Sequence, residues 1–148
     1  MSQKSFLTKY EKRCCCYFIT KLSIIQIIKL LKGDTLKNVN IAYNHDITQF
    51  GWKDILNALS KTSMEQLDIS SNTLGRFGVA YGSPLMSLAG AQANLLNLSG
   101  SQLSDDHVDV LSTELRNKKT RIAVVKLEPG NNLTDENIST LQAAGYNK

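Results

Sequence analysis

Cysteine is scarce in this 148-residue chain and poorly placed for cross-linking: Cys14, Cys15 and Cys16 are adjacent, and there are no others. Neighbouring thiols do not readily bridge one another, so a disulfide framework is excluded and a reducing compartment is favoured. Histidine is scarcer still. His45 and His107 are isolated, and the spaced Cys and His ligands of a zinc site are missing. Two prolines and nine glycines exclude collagen-like and low-complexity linker chains. Long apolar runs are also missing. Lys21, Gln26 and Lys29 interrupt the apolar stretch near the N-terminus and so break any membrane span of about 20 residues. Lys21, with no small-residue cleavage site after it, also argues against a secretory signal, despite Lys4, Lys9, Lys12 and Arg13 ahead of the stretch. A cytoplasmic protein is expected. The Asn-x-Ser/Thr strings at Asn97, Asn132 and Asn137 are accordingly not read as glycosylation sites.

No sign of charge dominates either. The net charge is +4, with 20% charged and 42% hydrophobic residues, an ordinary globular composition for one domain. What the chain does have is internal repetition. Leu36-Lys-Asn-Val39-Asn-Ile41 with Asn44 is matched by Met64-Glu-Gln-Leu67-Asp-Ile69 with Asn72. Ala93-Asn-Leu-Leu96-Asn-Leu98 with Ser101, and Ile122-Ala-Val-Val125-Lys-Leu127 with Asn131, complete the set. The copies stand about 28 to 29 residues apart, a period that marks stacked repeats. After three of the four copies, apolar residues recur five and eight places on: Ile47, Trp52, Ile55; Leu103, Val108, Leu111; Leu133, Ile138, Leu141; the tail of the second is interrupted by Gly75, Gly78, Gly82 and Pro84. Ile19, Ile24 and Ile27 fit the same template one unit earlier. Residues 1–35 are therefore read as an N-terminal cap or degenerate first repeat, and 36–148 as about four repeats.

Two periods alternate within each unit. Alternation in the first part predicts short strands over Val39–Ile41, Leu67–Ile69, Leu96–Leu98 and Val125–Leu127. Spacing near 3.6 in the second part predicts helices over much of 22–32, 49–60, 84–91, 105–117 and 135–143. Thr48, Ser83, Ser104 and Thr134 stand at N-cap positions. Asp105, Asp106, Asp135 and Glu136 fall in first turns, where the helix dipole favours carboxylates. Neither part buries its apolar face alone, so copies must stack, with a parallel sheet on one side and helices on the other. Leu67, Ile69, Leu96 and Leu98 are expected in the core. Asn44, Asn72 and Asn131 are expected to join neighbouring turns, because an amide donates and accepts at once. Ser101 predicts a weaker rung.

These strings resemble the ribonuclease-inhibitor-like subclass of leucine-rich repeats. Leu103-Ser-Asp-Asp-His-Val-Asp-Val-Leu111 and Leu133-Thr-Asp-Glu-Asn-Ile-Ser-Thr-Leu141 look like that subclass's helix start. The match covers 36–148 well and the first unit poorly; there Cys15 or Cys16 falls near the Asn position, where the subclass also permits Cys. The resemblance implies an α/β solenoid, a short curved horseshoe with its sheet on the concave side and its helices on the convex side. It also implies binding to another protein. Arrays of this kind occur in eukaryotic cytosolic proteins and in effectors that bacterial pathogens deliver into host cytoplasm.

No catalytic constellation is found: there is no phosphate-cradling glycine loop, nucleophile elbow or paired-histidine motif. No cofactor and no enzyme activity are expected. His107 is read as a solvated or capping residue, and His45 as loop filler or a partner contact. The expected partner surface is the outward side of the strands. Asn40, Asp68, Asn97 and Lys126 align in one column, and Asn38, Gln66, Leu95 and Val124 in another, with Tyr43 and His45 adjoining. No uniformly charged stripe is present, so a protein is expected and not a nucleic acid. A second reading places Cys14, Cys15 and Cys16, beside basic residues, as S-acylation sites of a membrane-recruited effector or signalling adaptor. Their bland alternative is packing in the cap. The strand around Val124 and Val125 is expected to be a free sheet edge open to self-association, with Lys126 as a guard.

Overall fold

The protein, seen in a computed structural model, is described over residues 37–77 and 83–146. The N-terminal cap, the helix expected over 22–32, and Cys14, Cys15 and Cys16 lie outside these residues. Four strands, β1 (Asn38–Asn40), β2 (Ser63–Asp68), β3 (Gln92–Asn97) and β4 (Arg121–Lys126), form one parallel sheet in chain order. The fold class is thus α/β, as expected. Pairing follows the sequence period. Val39 lies opposite Leu67, Leu67 opposite Leu96, and Leu96 opposite Val125.

The last three strands begin earlier than the alternation indicates. Met64, Ala93 and Ile122 turn inward, each followed by two residues that do not, before the buried Leu67, Leu96 and Val125. The strands also end one residue before Ile41, Ile69 and Leu98, yet the ladder does not stop there. The N–H groups of these three donate to Asp68, Asn97 and Lys126 carbonyls at 2.8, 3.1 and 2.8 Å.

Opposite the sheet lie α1 (Gln49–Leu59), a 3-10 turn (Pro84–Leu88), α2 (Val108–Arg116) and α3 (Asp135–Tyr146). Each packs on the next in that order. In α1 the buried stripe is Trp52, Ile55, Leu56 and Leu59; in α2 it is Val108, Leu111, Ser112 and Leu115. Both follow the i, i+3, i+4, i+7 spacing of a helix with one apolar face. Thr48 caps α1, its hydroxyl accepting from Gly51 N–H at 3.2 Å. Leu67, Ile69, Leu96 and Leu98 are in the core.

The helix expected over 84–91 is corrected to a single 3-10 element that stops at Leu88. Ser83 makes no capping bond, and its buried hydroxyl has no partner among the described residues. Ala89 is not helical, and Gly90, at φ +87°, turns the chain toward β3. A second 3-10 turn, Leu74–Arg76, follows Asn72. Its Gly75 crosses the backbone of the next unit, donating its N–H to Ser101 C=O at 2.9 Å.

A Cβ on Gly75 would stand 1.7 Å from the Gln102 carbonyl oxygen. Neither backbone can yield without breaking its own bonds. Gly75→Ala is therefore expected to destabilise by about 3 kcal/mol or more, the upper range of overpacking. Leu96→Ala, which opens a cavity between sheet and helices, is expected to cost about 2–5 kcal/mol. Urea unfolding of both variants against the parent chain checks these values.

Candidate functional site

Asn44, Asn72 and Ser101 are buried where their strands leave the sheet and Asn131 is half-buried there, and the asparagine side chains bond the peptide groups of these turns. Asn72 is the fullest case. Its side-chain NH2 donates to Ile41 C=O at 3.0 Å, in the preceding turn, and to Ile69 C=O at 2.8 Å, in its own. Its Oδ1 accepts the N–H of Asn44 at 2.7 Å. Asn131 repeats the arrangement, donating to Leu98 and Leu127 carbonyls at 2.9 and 2.5 Å and accepting from Ser101 and Leu103 N–H at 3.1 and 3.0 Å. Ser101 is too short to reach the turn before it. Its hydroxyl donates only to Ser99 C=O, at 3.5 Å, and Gly75 N–H bonds its carbonyl instead.

Beside this ladder runs a column of left-handed residues: Tyr43 (φ 60°), Ser71 (φ 53°), Gly100 (φ 61°) and Gly130 (φ 94°). The first three donate their N–H across to Ser70, Ser99 and Pro129 carbonyls. This conformation directs the Tyr43 ring outward, where it is 47% exposed.

The two expected columns are in register. Asn40, Asp68, Asn97 and Lys126 pair in sequence across the sheet, as do Asn38, Gln66, Leu95 and Val124. The first column is partly occupied with its own chain. Oδ1 of Asn40 accepts Ala42 N–H at 2.9 Å. Oδ1 of Asp68 accepts Ser70 N–H and hydroxyl at 3.0 and 2.6 Å, and Oδ1 of Asn97 does the same for Ser99 at 3.1 and 2.7 Å. These are turn-forming Asx contacts, a role in addition to any outside contact. Lys126 is exposed at the fourth position. In the second column Asn38, Gln66 and Val124 are exposed, with Leu95 half-buried between the last two. His45 is exposed, and its carbonyl accepts the Thr73 hydroxyl at 3.4 Å.

Two exposed apolar side chains escaped the sequence reading: Phe50, 77% exposed, and Met86. Phe50 lies off the Trp52–Ile55–Leu56–Leu59 stripe, and that phase was the available signal.

His107 is not solvated. It is buried, and its Nδ1 accepts Ser104 N–H at 3.1 Å, with the Ser104 hydroxyl at the same distance. Accepting at Nδ1 places the ring proton on Nε2, which has no partner among the described residues. The ring is a cap of the turn that leads into α2.

Charge is divided between the two rims of the sheet. Where strands begin, Lys61, Arg116, Lys118, Lys119 and Arg121 are exposed. Where strands end, Asp46, Asp105, Asp106, Glu128, Asp135 and Glu136 are exposed, with Arg76 and Lys126 among them. A polar hollow of about 250 Å³ lies on this acidic side, between Ser104–Asp106 and Asn132–Thr134.

Among the described residues no helix is long and apolar enough to cross a membrane. No group of three His, Cys, Asp or Glu side chains there is placed to hold a metal ion. The chain matches no protein-family model, and no curated protein matches it.

Asp105 ties the α2 start to the α3 start. Hydrogen bonds from the Asn137 side chain and from Thr134 N–H, the latter at 3.1 Å, hold its carboxyl below the usual 3.8, with the Thr134 hydroxyl adding to them against a small desolvation effect. A carboxyl lowered in the folded state contributes stability that is present above its unfolded value and is lost as pH falls through the folded one. NMR titration is expected to place the Asp105 midpoint below 3.8, with the Thr134 amide shift following it. Asn137→Ala is expected to raise that midpoint toward 3.8.

Proposed function

We propose that the chain is a short leucine-rich-repeat solenoid of the ribonuclease-inhibitor-like kind, and that it binds a protein partner through the outward face of its parallel sheet. The single observation that carries this reading is the register. Strands repeated every 28 to 29 residues turn isolated side chains into continuous columns, and one of them leaves apolar Val124 exposed beside the half-buried Leu95. An exposed apolar side chain next to polar ones, at the β4 end of the sheet, is a composition that suits contact with a protein. Tyr43 supplies an aromatic side chain at the N-terminal end of the same surface, on a backbone fixed by its bond to Ser70. The mixed character of the columns favours a protein over a polyanion, which calls for a uniform basic stripe. No reaction is assigned to the chain. The buried His107, the histidine with the most restricted surroundings, is committed to its own turn.

The test uses variants chosen to leave the turns intact. Asp68 is spared, since its carboxylate holds Ser70. The triple variant Tyr43→Ala, Val124→Glu, Lys126→Glu is expected to keep the far-UV spectrum and urea midpoint of the parent. Proteins that the parent captures from a eukaryotic cytosolic lysate, quantified by mass spectrometry, are expected to fall by about tenfold or more, the loss of one anchor residue being worth at least 1.4 kcal/mol. Unchanged capture by the folded triple variant overturns the assignment of this face.

A further inference from the structure

Five basic side chains gather on the rim where strands begin, and none of them is paired. Lys61, Arg116, Lys118, Lys119 and Arg121 are exposed. No ion pair joins any of them to a carboxylate among the described residues, where the pair that does form is Lys37 with Glu65 at 3.3 Å. Register brings them together. Met64, Ala93 and Ile122 lie side by side in the sheet, so Lys61, Gly90 and Lys119, each three residues earlier, hold equivalent positions. Gly90 puts no side chain between the two lysines. A Cβ placed on it would stand 3.5 Å from Ser60 C=O and 4.0 Å from the Lys119 Cβ. The loop that carries Lys118 and Lys119 is held in place. Asn117 Oδ1 accepts Lys119 N–H at 3.0 Å, the Thr120 hydroxyl accepts Gly90 N–H at 2.9 Å, and Ala91 C=O accepts Arg121 N–H at 2.8 Å. The α2 dipole accounts for Arg116, which stands in its last turn, and not for Lys118, Lys119 and Arg121 beyond its end. Like charges gathered in this way repel one another, and an anion relieves them.

We propose that this rim docks on an anionic phospholipid bilayer by charge alone, with the strands standing roughly along the membrane normal and the sheet face left open. The distribution of charge selects a bilayer among anionic partners. The acidic side chains lie at the other ends of the strands. A six-residue strand spans about 20 Å, farther than screened charge reaches at physiological salt. An extended anionic plane laid on the basic rim therefore meets its cations without the opposing acids. A bilayer also rewards each cation near its surface without demanding a fixed geometry, which suits lysines that hold no partner. In a protein interface such peripheral charges change the rate of encounter more than the affinity. Single-stranded nucleic acid calls for aromatic platforms. The exposed aromatic side chains among the described residues, Tyr43 and Phe50, stand where β1 ends and where α1 begins, at the opposite rim. No large apolar side chain is exposed on the basic rim among the described residues, so attachment involves no insertion and is reversed by salt. This docking depends neither on the sheet-face reading nor on acylation of Cys14, Cys15 or Cys16.

Co-sedimentation of the full-length, unacylated chain with lipid vesicles tests this. Binding is expected to phosphatidylcholine vesicles that contain about 30% phosphatidylserine, and release on raising the salt from about 0.1 M to about 0.5 M. The triple variant Lys61→Ala, Lys118→Ala, Lys119→Ala is expected to partition about a hundredfold less, each basic residue at an anionic surface being worth about a fivefold change. Arginine at the same three positions is expected to retain binding. Lys4, Lys9, Lys12 and Arg13 stay in place throughout, so a folded alanine variant that binds like the parent assigns the attachment elsewhere and overturns the proposal. Should that variant fold poorly, lysine acetylation of the parent gives a second reading. Vesicles are expected to slow modification of Lys61, Lys118 and Lys119 and to leave Lys126, on the other rim, unchanged; equal slowing of all four overturns the proposal. So does a failure to bind the phosphatidylserine vesicles, or equal binding to phosphatidylcholine alone. Tighter binding per phosphate to a duplex oligonucleotide than to the vesicles also overturns it, the rim then being a nucleic-acid surface.

Discussion

Peptide groups buried where each strand leaves the sheet constrain everything else in this structure. Where water does not reach such a group, its N–H or C=O must find a partner in protein. Asparagine meets both needs with one side chain, and only when neighbouring turns lie a fixed distance apart. Asn72 and Asn131 thereby hold the sheet side in strict register. The other side carries no such requirement. Between one strand and the next stand an 11-residue helix, two 3-10 turns (Leu74–Arg76 and Pro84–Leu88), and a 3-10 turn (Asp105–His107) that runs into a nine-residue helix. The connections vary while the turns do not.

That division decided what was legible in the sequence. Positions inside the strands and turns repeat, so the core residues Leu67, Ile69, Leu96 and Leu98, the parallel order and the bonding role of Asn72 and Asn131 were all readable from spacing. The segment after Asn72 was not, because its elements are set by local sterics. Pro84 fits the first turn of either an α or a 3-10 helix, and the stop at Gly90 comes from its left-handed backbone. The alternation did not fix where the strands start, because Met64, Ala93 and Ile122 sit three residues before the next core position, out of phase with it. Of the two roles open to His107 in its Asp-rich string, solvated or capping, the structure shows the cap; its burial goes with a bond to Ser104 that no period reveals.

The sheet face shows a different limit. The side-chain columns were predictable once the register was known, but the bonding of their members was not. Asp68 and Asn97 each stand two residues before a serine, and that short spacing was the available sign that their oxygens would be engaged in the turn. A polar residue facing outward is thus not automatically free for a partner. Tyr43 and Val124 carry more of the proposed binding surface for this reason, since neither has a competing contact of comparable strength within its own chain.

Among the described residues, the separation of charge between the two rims sets up a local electric field along the strand direction. Lys61, Lys118, Lys119 and Arg121 lie at one pole, and Asp105, Asp106, Asp135 and Glu136 at the other. A charged body drifting toward this protein experiences a torque before it touches any side chain, so the field sorts approach angles ahead of contact. The range of that sorting is the screening length, about 10 Å at 0.1 M salt. Added electrolyte therefore lengthens the search for a productive orientation while leaving the contacts made after arrival as they were.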